Sequence, residues 1–118
     1  VALTLRPPGA ELLAPITPYF VMKVGHVPVI AYHRPGAAAA ANEVARTITR
    51  YGANGTPIRA VMLERLGPNV WHDTPAAAMA TLEELEEAAR LALLAGDGAQ
   101  PLTEEHIDEL RQAFGARW

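Results

Sequence analysis

The chain has 118 residues, 50% of them hydrophobic, and its 10 Lys+Arg against 13 Asp+Glu give a formal charge of −3. That is the size of one domain with one core, and the charge leaves no basic footprint for nucleic acid or an anionic membrane. Cysteine and serine are both absent, which excludes disulfides, thiolate metal sites and Ser- or Cys-based nucleophilic triads.

The chain opens on Val1 within an apolar stretch, Val-Ala-Leu-Thr-Leu, and has no initiating methionine. This reads as the interior of a domain, so material upstream is expected. Residues 7–18 hold four prolines (Pro7, Pro8, Pro15, Pro18) and predict an extended loop. Tyr19–Val24, directly after Pro18, predicts a short helix. Val27–Tyr32 is rich in Val and Ile and predicts a strand, with Pro28 placing it at an edge or at the first ladder position. Arg34-Pro35-Gly36 is a turn. Ala37–Tyr51 is Ala-rich and free of Gly and Pro, so it predicts a helix stopped by Gly52.

Ile58–Glu64 predicts a buried strand and Asn69–His72 a short second one, with Pro68 expected to interrupt pairing between them. Thr74 and Pro75 form a helix start of cap and first-turn proline. That helix is expected to run to about Ala95 and stop at Gly96-Asp97-Gly98. Met79, Leu82, Leu85 and Ala89 form its expected core stripe. Glu83, Glu84, Glu86 and Glu87 form its wet side, with Glu86 one turn from Arg90. A last helix starts at a Thr103 cap, with Glu104 and Glu105 at its positive end and Arg111 at its negative end. Its expected buried stripe is Ile107, Leu110 and Phe114. Strands alternating with helices predict an α/β class, with helices covering a small sheet that has exposed edges.

No apolar run approaches the ~20 residues needed to span a bilayer, and no signal peptide is visible. With the lack of cysteine, this gives an expectation of a cytoplasmic protein. The four histidines are scattered. His26 and His33 are an odd number of residues apart, so a regular strand puts them on opposite faces, which argues against a shared metal. His72-Asp73 reads as a strand end leading into a helix cap, and His106 as a solvated first-turn residue. Arg34, Arg59 and Arg65 have the chemistry for a phosphate or carboxylate but read first as surface charges. No metal-binding or cofactor-binding residue is assigned from these patterns.

Thr-Pro-Tyr-Phe-Val-Met-Lys-Val-Gly (17–25) and Tyr-His-Arg-Pro-Gly (32–36) stand with the Val61–Trp71 region and the helices after it. Together they resemble the C-terminal half of the class II aldolase/adducin family, nearest to its 3-oxo-tetronate 4-phosphate decarboxylase branch. The resemblance covers essentially the whole chain. It implies one domain over residues 1–118, the C-terminal portion of a three-layer α/β/α fold around a mainly antiparallel sheet. It further implies a homotetramer, and metal-assisted carbon–carbon cleavage of a small phosphorylated sugar-like substrate. Zinc would be held by three histidines, two of them in a His-x-His pair expected upstream of Val1 together with the phosphate loop and an acidic acid/base residue.

The third ligand is expected in an Asn-His-Gly phrase, where this chain reads Arg65-Leu66-Gly67. Leucine has no lone pair to give a metal. Tyr19 matches the family tyrosine that reaches a neighbouring subunit's site and handles a proton. It is the one catalytic residue the resemblance assigns, and its dull alternative is interface packing. Two readings stay open: a lyase chain that is incomplete or inactive in isolation and completed by a like or complementary N-terminal chain, or a non-catalytic oligomerisation domain of the adducin type.

Overall fold

A computed structural model describes residues 2–118; Val1, on which the expectation of an interior start rests, lies outside the described residues. Among those residues, three strands form one sheet in the order β1 (Val29–Ile30), β2 (Ala60–Leu63), β3 (Gly67–Val70). β1 pairs parallel with β2, and β2 pairs antiparallel with β3 in the longer ladder, from Ala60 opposite Val70 to Leu63 opposite Gly67. Three helices accompany them: α1 (Ala38–Ala53), α2 (Pro75–Ala95) and α3 (Glu104–Phe114).

Strand alternation separates two apolar layers. Val29, Ala60 and Met62 face one way and join Phe20, Val24, Leu85 and Ala88 in the larger core. Ile30 and Val61 face the other way, where Val44 and Tyr51 of α1 and Trp71 pack on them. The sheet is therefore covered on both faces, which is the expected α/β/α layering. Phe20 is 0% exposed at the centre of the larger core, and burying a side chain of that size is worth roughly 2–3 kcal/mol.

The short helix after Pro18 forms as a π-helix, Phe20–Val24, ending at Gly25 with a φ of 85°. A residue with a side chain is disfavoured at that angle, so the glycine ends the turn and returns the chain towards β1. β1 is shorter than Val27–Tyr32, and part of the proline-rich loop pairs along its outer side. Leu12 donates to the Val27 carbonyl (2.8 Å), Val29 donates to the Ala10 carbonyl (3.0 Å), and Glu11 bridges Pro28. Leu12 and Leu13 enter the core on this segment.

Pro68 does not interrupt pairing. It lies inside the β2–β3 ladder, opposite Met62. Trp71 donates to the Arg59 carbonyl, while Met62 directs its N–H to the Pro28 carbonyl on the β1 side. Alternation then makes Met62–Pro68 a non-hydrogen-bonded pair, so the missing proline N–H costs the ladder nothing. α1 runs through Gly52 to Ala53 and is capped at Asn54.

α2 keeps its Thr74 cap, whose hydroxyl accepts from the Ala77 amide at 3.1 Å. Its buried line is Thr81, Leu85 and Ala88, whereas Met79 is exposed, so the stripe is rotated from the expected one. Arg90 pairs with Glu87 one position nearer than Glu86, and its hydrogen bonds hold the Glu87 carboxyl below the usual carboxylate range. In α3, Ile107 is buried but Phe114 is 72% exposed. His106 is not simply solvated: its Nδ1 accepts from the Thr103 amide while the Thr103 hydroxyl accepts from the His106 amide, closing a capping box. No helix among the described residues is long and apolar enough to cross a membrane.

Candidate active site

Tyr19 sits at the entry to the π-helix, where Pro18 and the Thr17 hydroxyl, accepting from the Phe20 amide at 3.1 Å, set the turn. Phe20 points into the core and Tyr19 out of it, at 59% exposed. Lys23 Nζ lies 5.2 Å from its ring centroid, a cation–π distance. Among the described residues the phenol takes no hydrogen bond. A tyrosine so placed presents both ring and hydroxyl outward.

The β2–β3 hairpin closes through Glu64, Arg65 and Leu66. Arg65 adopts a φ of 63°, the one non-glycine residue in the left-handed region among the described residues. Its amide donates to the Thr4 carbonyl at 2.8 Å, which ties the hairpin tip to the N-terminal segment. Glu64 Oε2 accepts from the Tyr32 amide at 2.9 Å and ties the tip to the end of β1. Leu66, at the position where the resemblance expects a metal ligand, is 44% exposed. It joins neither apolar core among the described residues.

The histidines are dispersed and individually engaged. His26 Nδ1 bonds Glu11, and its ring stacks on Trp118 at 3.8 Å between centroids. His33 Nε2 donates to Glu43 at 2.9 Å, tying the turn after β1 to α1. His72 Nδ1 accepts from the Asp73 amide at 2.8 Å, at the expected entry to α2. Among the described residues, Arg34 reaches only the Pro35 carbonyl, and Arg65 lies 3.9 Å from Glu64. Among the described residues, no three of His, Asp and Glu are grouped so as to hold a metal ion. The donors present in this chain do not by themselves fit the ion that the resemblance implies.

The Glu11–His26–Trp118 group was not anticipated. Its members are 15 and 92 residues apart in sequence, and no local pattern announces contacts at that separation. Arg111 clamps the same segment by donating through Nε and Nη2 to the Trp118 carbonyl, at 3.2 and 2.7 Å.

Residues 1–93 match the sequence profile of the Class II Aldolase and Adducin N-terminal domain. The chain is 45% identical over 113 residues to a 3-oxo-tetronate 4-phosphate decarboxylase of Cupriavidus necator, covering 92% of this chain and 49% of that protein. It is 40% identical over 101 residues to the protein of that name from Pectobacterium atrosepticum, covering 85% and 43%. The crystal structure of YgbL from Escherichia coli superposes with a TM-score of 0.79 at 34% identity, covering 93% of this chain and 51% of that one. The chain thus spans about half the length of the relatives it matches. On the profile match, the identities and the shared fold, it belongs to the class II aldolase and adducin family.

Proposed function

We propose that this chain is part of a carbon–carbon lyase of the decarboxylase type, acting on a small phosphorylated sugar acid in the cytoplasm. Its own contribution is the sheet frame and Tyr19. The observation that carries this reading is the 45% identity with a 3-oxo-tetronate 4-phosphate decarboxylase along 92% of the chain. The outward phenol of Tyr19 supports it, because a hydroxyl that takes no hydrogen bond among the described residues is available to a neighbouring subunit. In this reading residues 1–118 are one portion of the domain. The metal histidines and phosphate loop lie upstream of Val1, and the active assembly is an oligomer. Tyr19 Oη would move a proton at the neighbouring subunit's site. No step is assigned to a metal held by this chain.

The test pairs the 118-residue chain with a polypeptide carrying the upstream half of a relative and follows carbon dioxide release from 3-oxo-tetronate 4-phosphate. Turnover is expected only from the mixture. Tyr19→Phe should lower kcat about 10²–10⁴-fold with a much smaller change in KM, the scale of losing a proton-transfer group. Turnover and stoichiometric zinc binding by the isolated chain would overturn the reading.

One observation favours a second reading, a non-catalytic oligomerisation domain. Leu66 stands at the ligand position as an exposed apolar side chain at a hairpin tip, suited to contact with another subunit. It predicts a stable oligomer that stays inactive after Leu66→His. Activity gained by that one change would exclude it.

A further inference from the structure

A cleft of about 610 Å³ lies between the π-helix, the β2–β3 hairpin and the C-terminal segment. It opens at the Arg59–Trp71 end of the hairpin. Leu66 is at the opposite end, beyond four ladder residues that span about 13 Å. Two cations line it, Arg59 and Arg117. Arg65, Arg90 and Arg111 each face a carboxylate, whereas Arg59 and Arg117, like Arg46 and Arg50 on α1, form no ion pair among the described residues; of these unpaired arginines only Arg59 and Arg117 line this cleft. Among the described residues Arg59 Nη1 donates only to the Lys23 carbonyl, at 3.4 Å, a contact that holds the guanidinium across the cleft towards the π-helix. The one carboxylate at the rim, Asp73, is 98% exposed and screened by water.

The far wall is not loose. Phe114, Gly115, Ala116 and Arg117 line the cleft. The next residue, Trp118, is pinned by the His26 stack and the Arg111 fork. Arg117 is therefore carried on an anchored backbone. Trp71 lends an aromatic wall, fixed by its Nε1 donating to the Ile58 carbonyl at 3.1 Å.

We propose that this cleft binds a small organic phosphate, with Arg59 and Arg117 as its two counter-charges and Trp71 against its carbon skeleton. Two guanidinium forks offer more donors than one carboxylate can accept, and they match the three terminal oxygens and double charge of a phosphate monoester. The site lies away from the Leu66 end of the hairpin. It does not rest on the lyase reading, and occupancy here is separate from the substrate cleaved there.

The test titrates the 118-residue chain with glycerol 3-phosphate at fixed ionic strength, following Trp71 and Trp118 fluorescence and calorimetric heat. Glycerol and malonate serve as the uncharged and dicarboxylate comparisons. Saturable binding of the phosphate, weaker binding of malonate and none of glycerol is expected. Arg59→Gln and Arg117→Gln should each weaken it about tenfold or more, the worth of a charge-assisted hydrogen-bond pair. Arg6→Gln removes an equal charge outside the cleft and should leave it unchanged, and Asp73→Asn should tighten it. Unchanged thermal unfolding of the arginine variants ties the loss to the site. Equal weakening by Arg6→Gln, equal binding of malonate, or no saturable phosphate binding would each overturn the proposal.

Discussion

The imidazole of His26 and the indole of Trp118 lie parallel to within 27°, with their centroids 3.8 Å apart. Phe20 meets the same indole edge-on at 6.0 Å. The end of the chain is thereby joined to the π-helix and to the residue that follows its closing glycine. Trp118→Ala should cost about 2 kcal/mol, from the lost aromatic pairing and its share of buried apolar area. Trp118→Phe should recover about half of that. Urea unfolding checks both, and near-ultraviolet circular dichroism should lose the indole signal in each. A change within 0.5 kcal/mol of the parent for Trp118→Ala, measured on the usual scale of neutral surface substitutions, would show the contact to be energetically idle.

The left-handed Arg65 gives a prediction of opposite sign. A φ of 63° costs a residue with a Cβ about 1 kcal/mol, and asparagine bears it better than arginine because its short polar side chain bonds locally. The Glu64 pair lost with the arginine is long, at 3.9 Å, and largely solvated on the arginine side. Arg65→Asn should therefore raise stability by about 0.5–1 kcal/mol. Arg65→Val, β-branched at the same angle, should lower it. A urea midpoint for the asparagine variant at or below the parent's would contradict the strain argument.

These two sites also mark what the sequence makes legible. Local chemistry survived well. The Thr74 and Thr103 caps and the burial of the Ala60–Leu63 strand follow from neighbours within a few residues. Features set by distant partners did not. The burial of Leu12 and Leu13 depends on backbone bonds to Val27 and Val29. Met79 and Phe114 carry the right spacing for a stripe, yet both stay exposed among the described residues, because spacing defines a helix face but not which element meets it. His106 looked solvated because Thr103-x-x-His is a less familiar box than Thr-x-x-Glu. At the hairpin tip, the sequence puts Leu66 where the resemblance expects a ligand, but does not show that the leucine stays exposed.

Tyr51 supplies a prediction in pH. Burial first, then the nearby Glu11 carboxylate, raise its phenol above the ordinary tyrosine value, with the Arg50 charge opposing. A raised phenol pKa means that the fold favours the neutral form. This contribution is whole below about pH 10, the unfolded value, and is lost as pH rises through the higher folded value. Tyr51→Phe cannot ionise. Its stability relative to the parent should be constant through neutral pH and should improve steadily from about pH 10 upward. Paired urea titrations across that range measure the difference, and a difference independent of pH would remove Tyr51 from the alkaline response.

The hairpin register can be tested at two adjacent residues with opposite expectations. Pro68 occupies a non-hydrogen-bonded pair with Met62, and Asn69 the next, hydrogen-bonded pair with Val61. The N–H that proline lacks would point away from β2, so Pro68→Ala restores no ladder bond. It gives up only the proline's restriction of the unfolded chain, and its cost should stay at about 0.4–1 kcal/mol. Asn69→Pro removes a donor that the ladder uses and sets a ring against β2, and should cost about 3 kcal/mol or more. The sheet has only three strands, and β3 closes the face that carries Trp71, so Asn69→Pro should also broaden the unfolding transition and shift Trp71 fluorescence. If Asn69→Pro cost no more than Pro68→Ala, Asn69 would not occupy the bonded position and the register would be overturned.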